Sequence, residues 1–257
     1  MSDPALPDLT GTVVLVTGAS GTVGRGIALR FAAAGSAVVV HHHRDAAGGA
    51  AVVEEIRGRG GTALGLAADL TDERACHAIV DAAAAWTGRL DALVNNAGIQ
   101  PVAELAELST ADWRAMFETN LTSAFTATQA AARTMRAAGG GSITHIASIE
   151  ATQPAFGHAH YASAKAALVM HARAAALEYG PDGIRVNTVS PGLIARPTLA
   201  TDWPEGVDRW RRAAPLRRVG DPTDVGDACV FLASPMASWV TGHDLVVDGG
   251  VSNHPTW

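Results

Sequence analysis

Residues 12–24 run Thr12-Val13-Val14-Leu15-Val16-Thr17-Gly18-Ala19-Ser20-Gly21-Thr22-Val23-Gly24. The run Val13 to Val16 is apolar and mostly β-branched, which fits a buried strand. The glycines then break it, and a helical pattern over 22–34 follows. A glycine-rich turn here lets main-chain N–H groups approach a pyrophosphate, and the helix N-terminus behind it adds partial positive charge. A glycine pattern alone is also consistent with a tight strand-to-helix turn. What favours a dinucleotide site is its place, joining the first strand to the first helix.

Outward from this turn the chain keeps alternating. Apolar runs at 12–17, 37–41, 63–67, 92–95, 142–147, 185–190 and 245–247 are separated by helical stretches at 22–34, 46–59, 72–86, 109–137, 158–179 and 222–232. Near-continuous apolar strands between helices indicate a parallel sheet covered on both faces, and right-handed crossovers wind it doubly. The prediction is an α/β fold: one Rossmann-like domain over 1–257, its seven-stranded parallel sheet flanked by helices on both faces. Gly35 stands where a C-terminal cap would close the first helix, and Asp72 and Asp221-Pro222 read as helix starts. The stretch 191–218 lacks clear periodicity and reads as a lid, while the tail 251–257, ending in Trp257, is expected to cross a subunit interface.

Composition narrows the function. Hydrophobic residues at 48% and charged residues at 17% describe a chain able to bury a core, and a formal net charge of −6 with no basic stripe argues against nucleic acid. No apolar run reaches membrane-spanning length, and residues 1–10 lack a secretory pattern, so a cytoplasmic protein with no membrane partner is expected. The two cysteines, Cys76 and Cys229, lie far apart inside helical stretches and do not read as a disulfide framework.

The second strand ends in His41-His42-His43-Arg44 with no acidic residue on its tip. A carboxylate there would bind the ribose 2′-hydroxyl of NAD, whereas cations favour the 2′-phosphate of NADP. Arg44, with His42 or His43, is the candidate clamp, and NADP is preferred over NAD. A solvated strand end is the plainer reading of three histidines. A metal site is not expected, because neighbouring strand residues point in opposite directions and no ligand set of usual spacing accompanies them.

Tyr161 and Lys165 share one face of a helix, four residues apart. An ammonium near a phenol favours phenolate, so the Tyr161 pKa is expected to fall below its usual ~10. Ser148 ends a strand and Asn95-Asn96-Ala97-Gly98 ends another, at the edge where α/β sheets bind ligands. Asn120 lies within the stretch 109–137, where asparagine is disfavoured unless it has another task.

Taken in order, the 17–24 loop, Asp69, Asn95-Asn96-Ala97-Gly98, Asn120, Ser148, Tyr161-x-x-x-Lys165, Pro191-Gly192, Thr241-Gly242 and Asp248-Gly249-Gly250 resemble the short-chain dehydrogenase/reductase family. The resemblance extends over residues 10–252. It implies that Tyr161 is the proton donor in reduction, that Ser148 orients the carbonyl, and that Lys165 tunes Tyr161 and holds the nicotinamide ribose. Asn120 is implied to fix a water in a proton relay. Gly18, Ser20, Thr22, Val23 and Gly24 are implied at the pyrophosphate and His43 and Arg44 at the 2′-phosphate. Asp69, Leu70, Asn96, Ala97 and Gly98 are implied on the adenosine side, and Pro191, Gly192 and Ile194 at the nicotinamide. A homo-oligomer, tetramer or dimer, pairing the helices over 109–137 and 158–179 is also implied.

Two positions depart from the family pattern. Thr22 stands where the loop usually has glycine, and Arg196 near a usual threonine; Arg196 either reaches an acidic substrate or the cofactor phosphates, or simply faces solvent from the lid. The end of the second strand also resembles that of pteridine reductases in the same family.

For the substrate, Glu150, Gln153, Phe156, His158 and His160 are candidate pocket residues, with Trp203 and Trp210 from the lid. Lid aromatics suit a planar or apolar ketone, or pack on the lid itself. The leading reading is an NADP(H)-dependent ketone or aldehyde reductase acting on a small carbonyl/alcohol pair. Its rivals are a 3-oxoacyl-thioester reductase, with Arg209, Arg211, Arg212, Arg217 and Arg218 docking a carrier protein, and a cofactor-sensing regulator without chemistry.

Overall fold

In the computed structural model, residues 6–253 are described. Seven strands, β1 (Val13–Val16), β2 (Ala37–His42), β3 (Ala63–Ala67), β4 (Ala92–Asn95), β5 (Gly141–Ile146), β6 (Ile184–Pro191) and β7 (Asp244–Val247), form one sheet. Their order is β3-β2-β1-β4-β5-β6-β7, and every pairing is parallel. Each run read from the sequence as a strand is one, within a residue or two at its ends.

Alternation within the strands decides which layer each side chain joins. Val14 and Val16 face one side of the sheet, packing with Ile27 and Phe31 of α1 (Thr22–Ala33), Val52 and Ile56 of α2 (Ala46–Gly58), and Val225 and Cys229 of α9 (Pro222–Ala233). Val13 and Leu15 face the other, against Ile79 and Val80 of α3 (Glu73–Thr87), Ala127 and Ala131 of α5 (Ser123–Ala138), and Ala172 and Ala176 of α6 (Ala159–Tyr179). Leu15, Ile27, Phe31, Leu93 and Ile143 are buried to 1% exposure or less, and each such side chain stabilises the fold by roughly 1.5–3 kcal/mol. Alanine on α5 and α6 lets those helices approach the sheet closely.

The helix boundaries follow local chemistry. Asp45, Asp72 and Asp221 accept main-chain N–H groups at the starts of α2, α3 and α9, and Asp221 forms a reciprocal capping box with Asp224. α1 ends at Gly35, whose φ of +94° lets Ser36 N donate to the Phe31 carbonyl and Gly35 N to that of Ala32.

One predicted helix is divided. The stretch expected as continuous over 109–137 is α4 (Thr110–Phe117), a wide π turn at Glu118–Thr122, and α5. Asn120 sits in the wide turn, where its side chain leaves the helix to bind the main chain of Ile99 on the loop after β4. Such turns are frequent where a helix serves a site. The lid holds two short helices, α7 (Leu199–Asp202) and α8 (Pro204–Ala213), and is pinned to the body where Ile194 pairs with Gly220. Trp257, and with it the tail's expected role at an interface, lies outside the described residues. Among those described, no helix is long and apolar enough to cross a membrane.

The α1–α9 contact rests on Gly26, where an added Cβ would meet the Pro222 carbonyl carbon at 2.6 Å and its oxygen at 2.7 Å. Main chain cannot step aside as a side chain can. Gly26→Ala should therefore destabilise by about 1–3 kcal/mol and lower Tm by roughly 2–10 °C. Gly58→Ala, with nothing near its added methyl, should be neutral or raise stability by up to about 1 kcal/mol. Thermal melts of the two variants beside wild type check the contrast.

Candidate active site

The strand order turns back between β1 and β4, so the loops leaving these neighbours part and open a cleft along the C-terminal edge of the sheet. The cleft has a volume of about 1530 Å³. Its wall includes Gly18, Ser20, Thr22, Val23 and Gly24 between β1 and α1, His43 and Arg44 after β2, and Asp69 and Leu70 after β3. Asn96, Ala97 and Gly98 follow β4, Asn120 sits in the π turn, Ser148 follows β5, and Tyr161 and Lys165 project from α6. Pro191, Gly192 and Ile194 complete it from β6. The residues that the sequence put forward for the catalytic and cofactor sets thus meet in one cleft, except His42, the alternative clamp residue, whose ring packs against Gly49 instead.

At the dinucleotide end, α1 starts at Gly21 without a side-chain cap, so the first N–H groups of the helix have no intrahelical acceptor and face an electropositive opening. The turn before it is braced from three sides. Thr17 Oγ1 accepts from the N–H groups of Asn96 and Ala97 at 2.9 and 3.0 Å, and Asn96 Nδ2 donates to the Thr17 carbonyl at 2.8 Å. The third brace is His41. Its Nε2 faces the Ala68 carbonyl at 3.1 Å and must carry the proton, leaving Nδ1 to accept the Gly18 N–H at 2.9 Å. Burial pulls the His41 pKa down to about 4, so the ring stays neutral and keeps that lone pair. Thr17 and His41 were not singled out from the sequence; only burial separates His41 from the two histidines beside it.

Donors for a dinucleotide are therefore present and shaped: open helix N–H groups, a turn whose Gly18 has φ +62°, and basic side chains beyond β2. Arg44 is exposed and lines the cleft. His43 Nε2 lies 3.6 Å from the Asp69 carboxylate. Asp45 also lines this end, but its carboxylate accepts from Gly48 N at 2.9 Å.

At the catalytic end, Tyr161 and Ser148 line the same cleft, and Lys165 Nζ lies 5.5 Å from the Tyr161 ring centroid. Lys165 is 4% exposed and donates to the Ile146 carbonyl at 2.6 Å. The sequence reading expects the ammonium to lower the Tyr161 pKa. The structure gives the opposite sign: burial pushes the phenol up to about 12, the nearby Ser148 hydroxyl pulls back only in part, and the Glu150 charge adds to the rise. Holding the phenol in its acid form to that extent amounts to roughly 3 kcal/mol against phenolate. Burial also brings Lys165 down to about 8. Asn120 is 1% exposed, and both ends of its amide are used on Ile99, accepting from N at 2.9 Å and donating to O at 3.0 Å. Gly98 is glycine for the same reason, since a Cβ there would strike Asn120 Oδ1.

Beyond Ser148 the wall turns polar. His158 Nδ1 lies 2.9 and 3.1 Å from the two carboxylate oxygens of Glu150, and Gln100 Nε2 donates to Glu150 Oε1 at 3.0 Å. Gln153 donates to the Ser252 carbonyl at 2.9 Å. Opposite, Trp203 and Trp210 line the cleft from the lid, and Trp210 is seated where Gly192 has no side chain. Arg196 lines the cleft too, but pairs with Asp202 and Thr198, both at 2.6 Å. Two expected pocket residues are elsewhere: Phe156 is fully exposed outside the cleft, and His160 is buried behind it with no hydrogen-bond partner for either ring nitrogen.

The buried Lys165 ties stability to pH. Below pH 8 the folded and unfolded chains both hold its proton, and the fold bears the full penalty of burying a charge. Between about 8 and the usual 10.5 the folded lysine gives up its proton first, and the penalty is relieved. Replacing it by methionine removes this dependence. From pH 7 to pH 10, the stability of wild type relative to Lys165→Met should therefore rise, by roughly 3 kcal/mol at most, in nucleotide-free denaturant melts.

The profile of the family described as Enoyl-(Acyl carrier protein) reductase matches residues 18–252. The chain is 38% identical over 244 residues to the D-threitol dehydrogenase of Mycolicibacterium smegmatis, covering 94% of this chain and 93% of that protein. It is 39% identical over 249 residues to the L-rhamnose 1-dehydrogenase (NAD(P)(+)) of Azotobacter vinelandii, covering 95% and 97%. The solved structure of a 7α-hydroxysteroid dehydrogenase complexed with NADH and 7-oxo glycochenodeoxycholic acid superposes with a TM-score of 0.90 at 38% identity, over 95% of each chain. Sheet, cleft and relatives agree: the chain belongs to the short-chain dehydrogenase/reductase family, whose members compared here are dehydrogenases acting on alcohols or ketones.

Proposed function

We propose that the protein is an NADP(H)-dependent oxidoreductase that interconverts a small carbonyl compound and its alcohol, working chiefly as a ketone or aldehyde reductase. The observation that carries this reading is the convergence of two hydroxyls, Ser148 and Tyr161, on one cleft, with the Lys165 ammonium 5.5 Å from the Tyr161 ring. The nicotinamide, when bound, supplies or takes the hydride. Ser148 donates a hydrogen bond to the carbonyl oxygen and orients it. Tyr161, held in its acid form by burial, donates its phenolic proton to that oxygen as alkoxide character develops. Lys165, charged below pH 8, stabilises the phenolate left behind and holds the nicotinamide ribose. Because the Asn120 side chain is spent on Ile99, its part is to fix the loop after β4.

The preference for NADP is read from Arg44, which lines the cleft just beyond β2 and has no ion pair among the described residues, while the carboxylate of Asp45 is engaged in capping α2. Pro191, Gly192 and Ile194 are assigned to the nicotinamide, and Asp69 and Leu70 to the adenine. A 3-oxoacyl thioester on an acidic carrier is the weaker reading. Of the arginines it would use, Arg211 pairs with Asp208, Arg218 pairs with Asp224, and Arg209 lies over the Trp203 ring. We further propose a homo-oligomer, because Phe125 on α5 and Met170 and Leu177 on α6 are exposed apolar side chains. The two buried free thiols suit a reducing cytoplasm.

Replacing Tyr161 by phenylalanine should cut kcat for ketone reduction by about 10²–10⁴-fold, with far less effect on NADPH binding followed by fluorescence. Turnover that survives the change would overturn the Tyr161 assignment, whereas a wild type that binds NADPH but turns over no ketone would favour a regulator that only senses the nucleotide. For the cofactor, Arg44→Ala should lower the ratio of kcat/KM with NADPH to that with NADH by about 10- to 100-fold. A wild type that works better with NADH refutes the NADP preference.

A further inference from the structure

The four polar side chains beyond Ser148 are not needed for hydride and proton transfer, yet they are fixed. Glu150 follows Ser148 by two residues, its N–H donating to Ser148 Oγ at 3.1 Å. Its carboxylate is only 14% exposed, a costly place for a charge unless partners hold it. His158 and Gln100 do so from opposite sides. His158 stands edge-on to Tyr161, ring centroids 6.0 Å apart, so carboxylate, imidazole and phenol form one contiguous wall. Ionised, Glu150 can only accept hydrogen bonds, and it has about four acceptor sites. Gln100 and His158 do not fill them all, so the cleft offers a fixed, partly desolvated acceptor next to the reacting position.

We propose that Glu150 accepts a hydrogen bond from a hydroxyl on the carbon beside the reacting one, and that the substrates are neutral hydroxyketones and polyols. This rests on the oxidoreductase reading above. Charge in the cleft disfavours ionic substrates: a substrate carboxylate would meet Glu150 itself, and a cation at the reacting carbonyl would meet the Lys165 ammonium. A plain ketone would cover the carboxylate's remaining acceptor sites without supplying a donor to them, which disfavours its binding. Trp203 and Trp210, on the lid side, would cover the carbon skeleton.

The test compares matched pairs that differ by one hydroxyl: 2-hydroxycyclohexanone against cyclohexanone, and 3-hydroxybutanone against butanone. Wild type should favour the hydroxyketones in kcat/KM by about 10- to 100-fold, as a hydrogen bond to a buried charge allows. Glu150→Ala should bring that ratio close to one, and Glu150→Gln, which keeps one acceptor oxygen, should retain part of it. Binding of each hydroxyketone to NADP-loaded Tyr161→Phe, and to the same protein carrying Glu150→Ala, is read independently by quenching of tryptophan fluorescence. Turnover of both members of a pair without discrimination, or discrimination that survives Glu150→Ala, overturns the Glu150 assignment alone. Discrimination in binding with no turnover by wild type overturns the oxidoreductase reading and leaves the hydroxyl subsite standing. Neither binding nor turnover of any member overturns both.

Discussion

Between β1 and β4 the winding of the sheet changes direction, and the loops leaving these adjacent strands run to opposite faces. The gap between them would be of little use if its walls were loose. Thr17, Asn96 and His41 remove that freedom by tying the glycine turn to the ends of β4 and β2 through main-chain groups. The turn can then leave the first N–H groups of α1 uncapped and open to an anion, because the amides of Gly18, Ala19 and Gly21 already have acceptors. The cleft depends on this bracing.

Burial sets the chemistry at the other end. A phenol and an ammonium are both withdrawn from water, and each shifts toward its neutral form: Tyr161 up to about 12 and Lys165 down to about 8. The pair is thereby biased toward proton donation rather than toward a standing phenolate. The same desolvation makes Lys165 a burden on stability near neutral pH, as expected where a residue is kept for its chemistry rather than its packing.

The substrate side divides its labour. Polar groups on the turn after β5 and at the start of α6 are fixed by one another, whereas the aromatic groups sit on the lid, whose side-chain pairs are local, Arg196 to Asp202 and Arg209 over Trp203, and which is tied to the body at its two ends by main-chain bonds. Trp210 reaches the body only because Gly192 leaves it room. Selection by hydrogen bonding thus sits on the rigid part of the fold, and apolar cover on the part tied down less firmly.

The strands, most helices and their caps were legible in the linear order of residues, because the period of apolar positions, a glycine past a helix end or an aspartate before one acts over a few residues. The ends of parallel strands marked where the cleft would lie, and most of the residues that meet there were named through the resemblance of the motifs, taken in order, to the family. Distance along the chain hid the rest. The break at Asn120 depends on Ile99, 21 residues away, so periodicity alone drew one helix through it. His41 differs from His42 and His43 only in being packed under the glycine turn, and His160 from His158 only in pointing away from the cleft. The sign of the Tyr161 shift was likewise out of reach. Spacing says that a cation is near, but only packing says how much water is gone, and here the loss of water, with the Glu150 charge behind it, sets the sign.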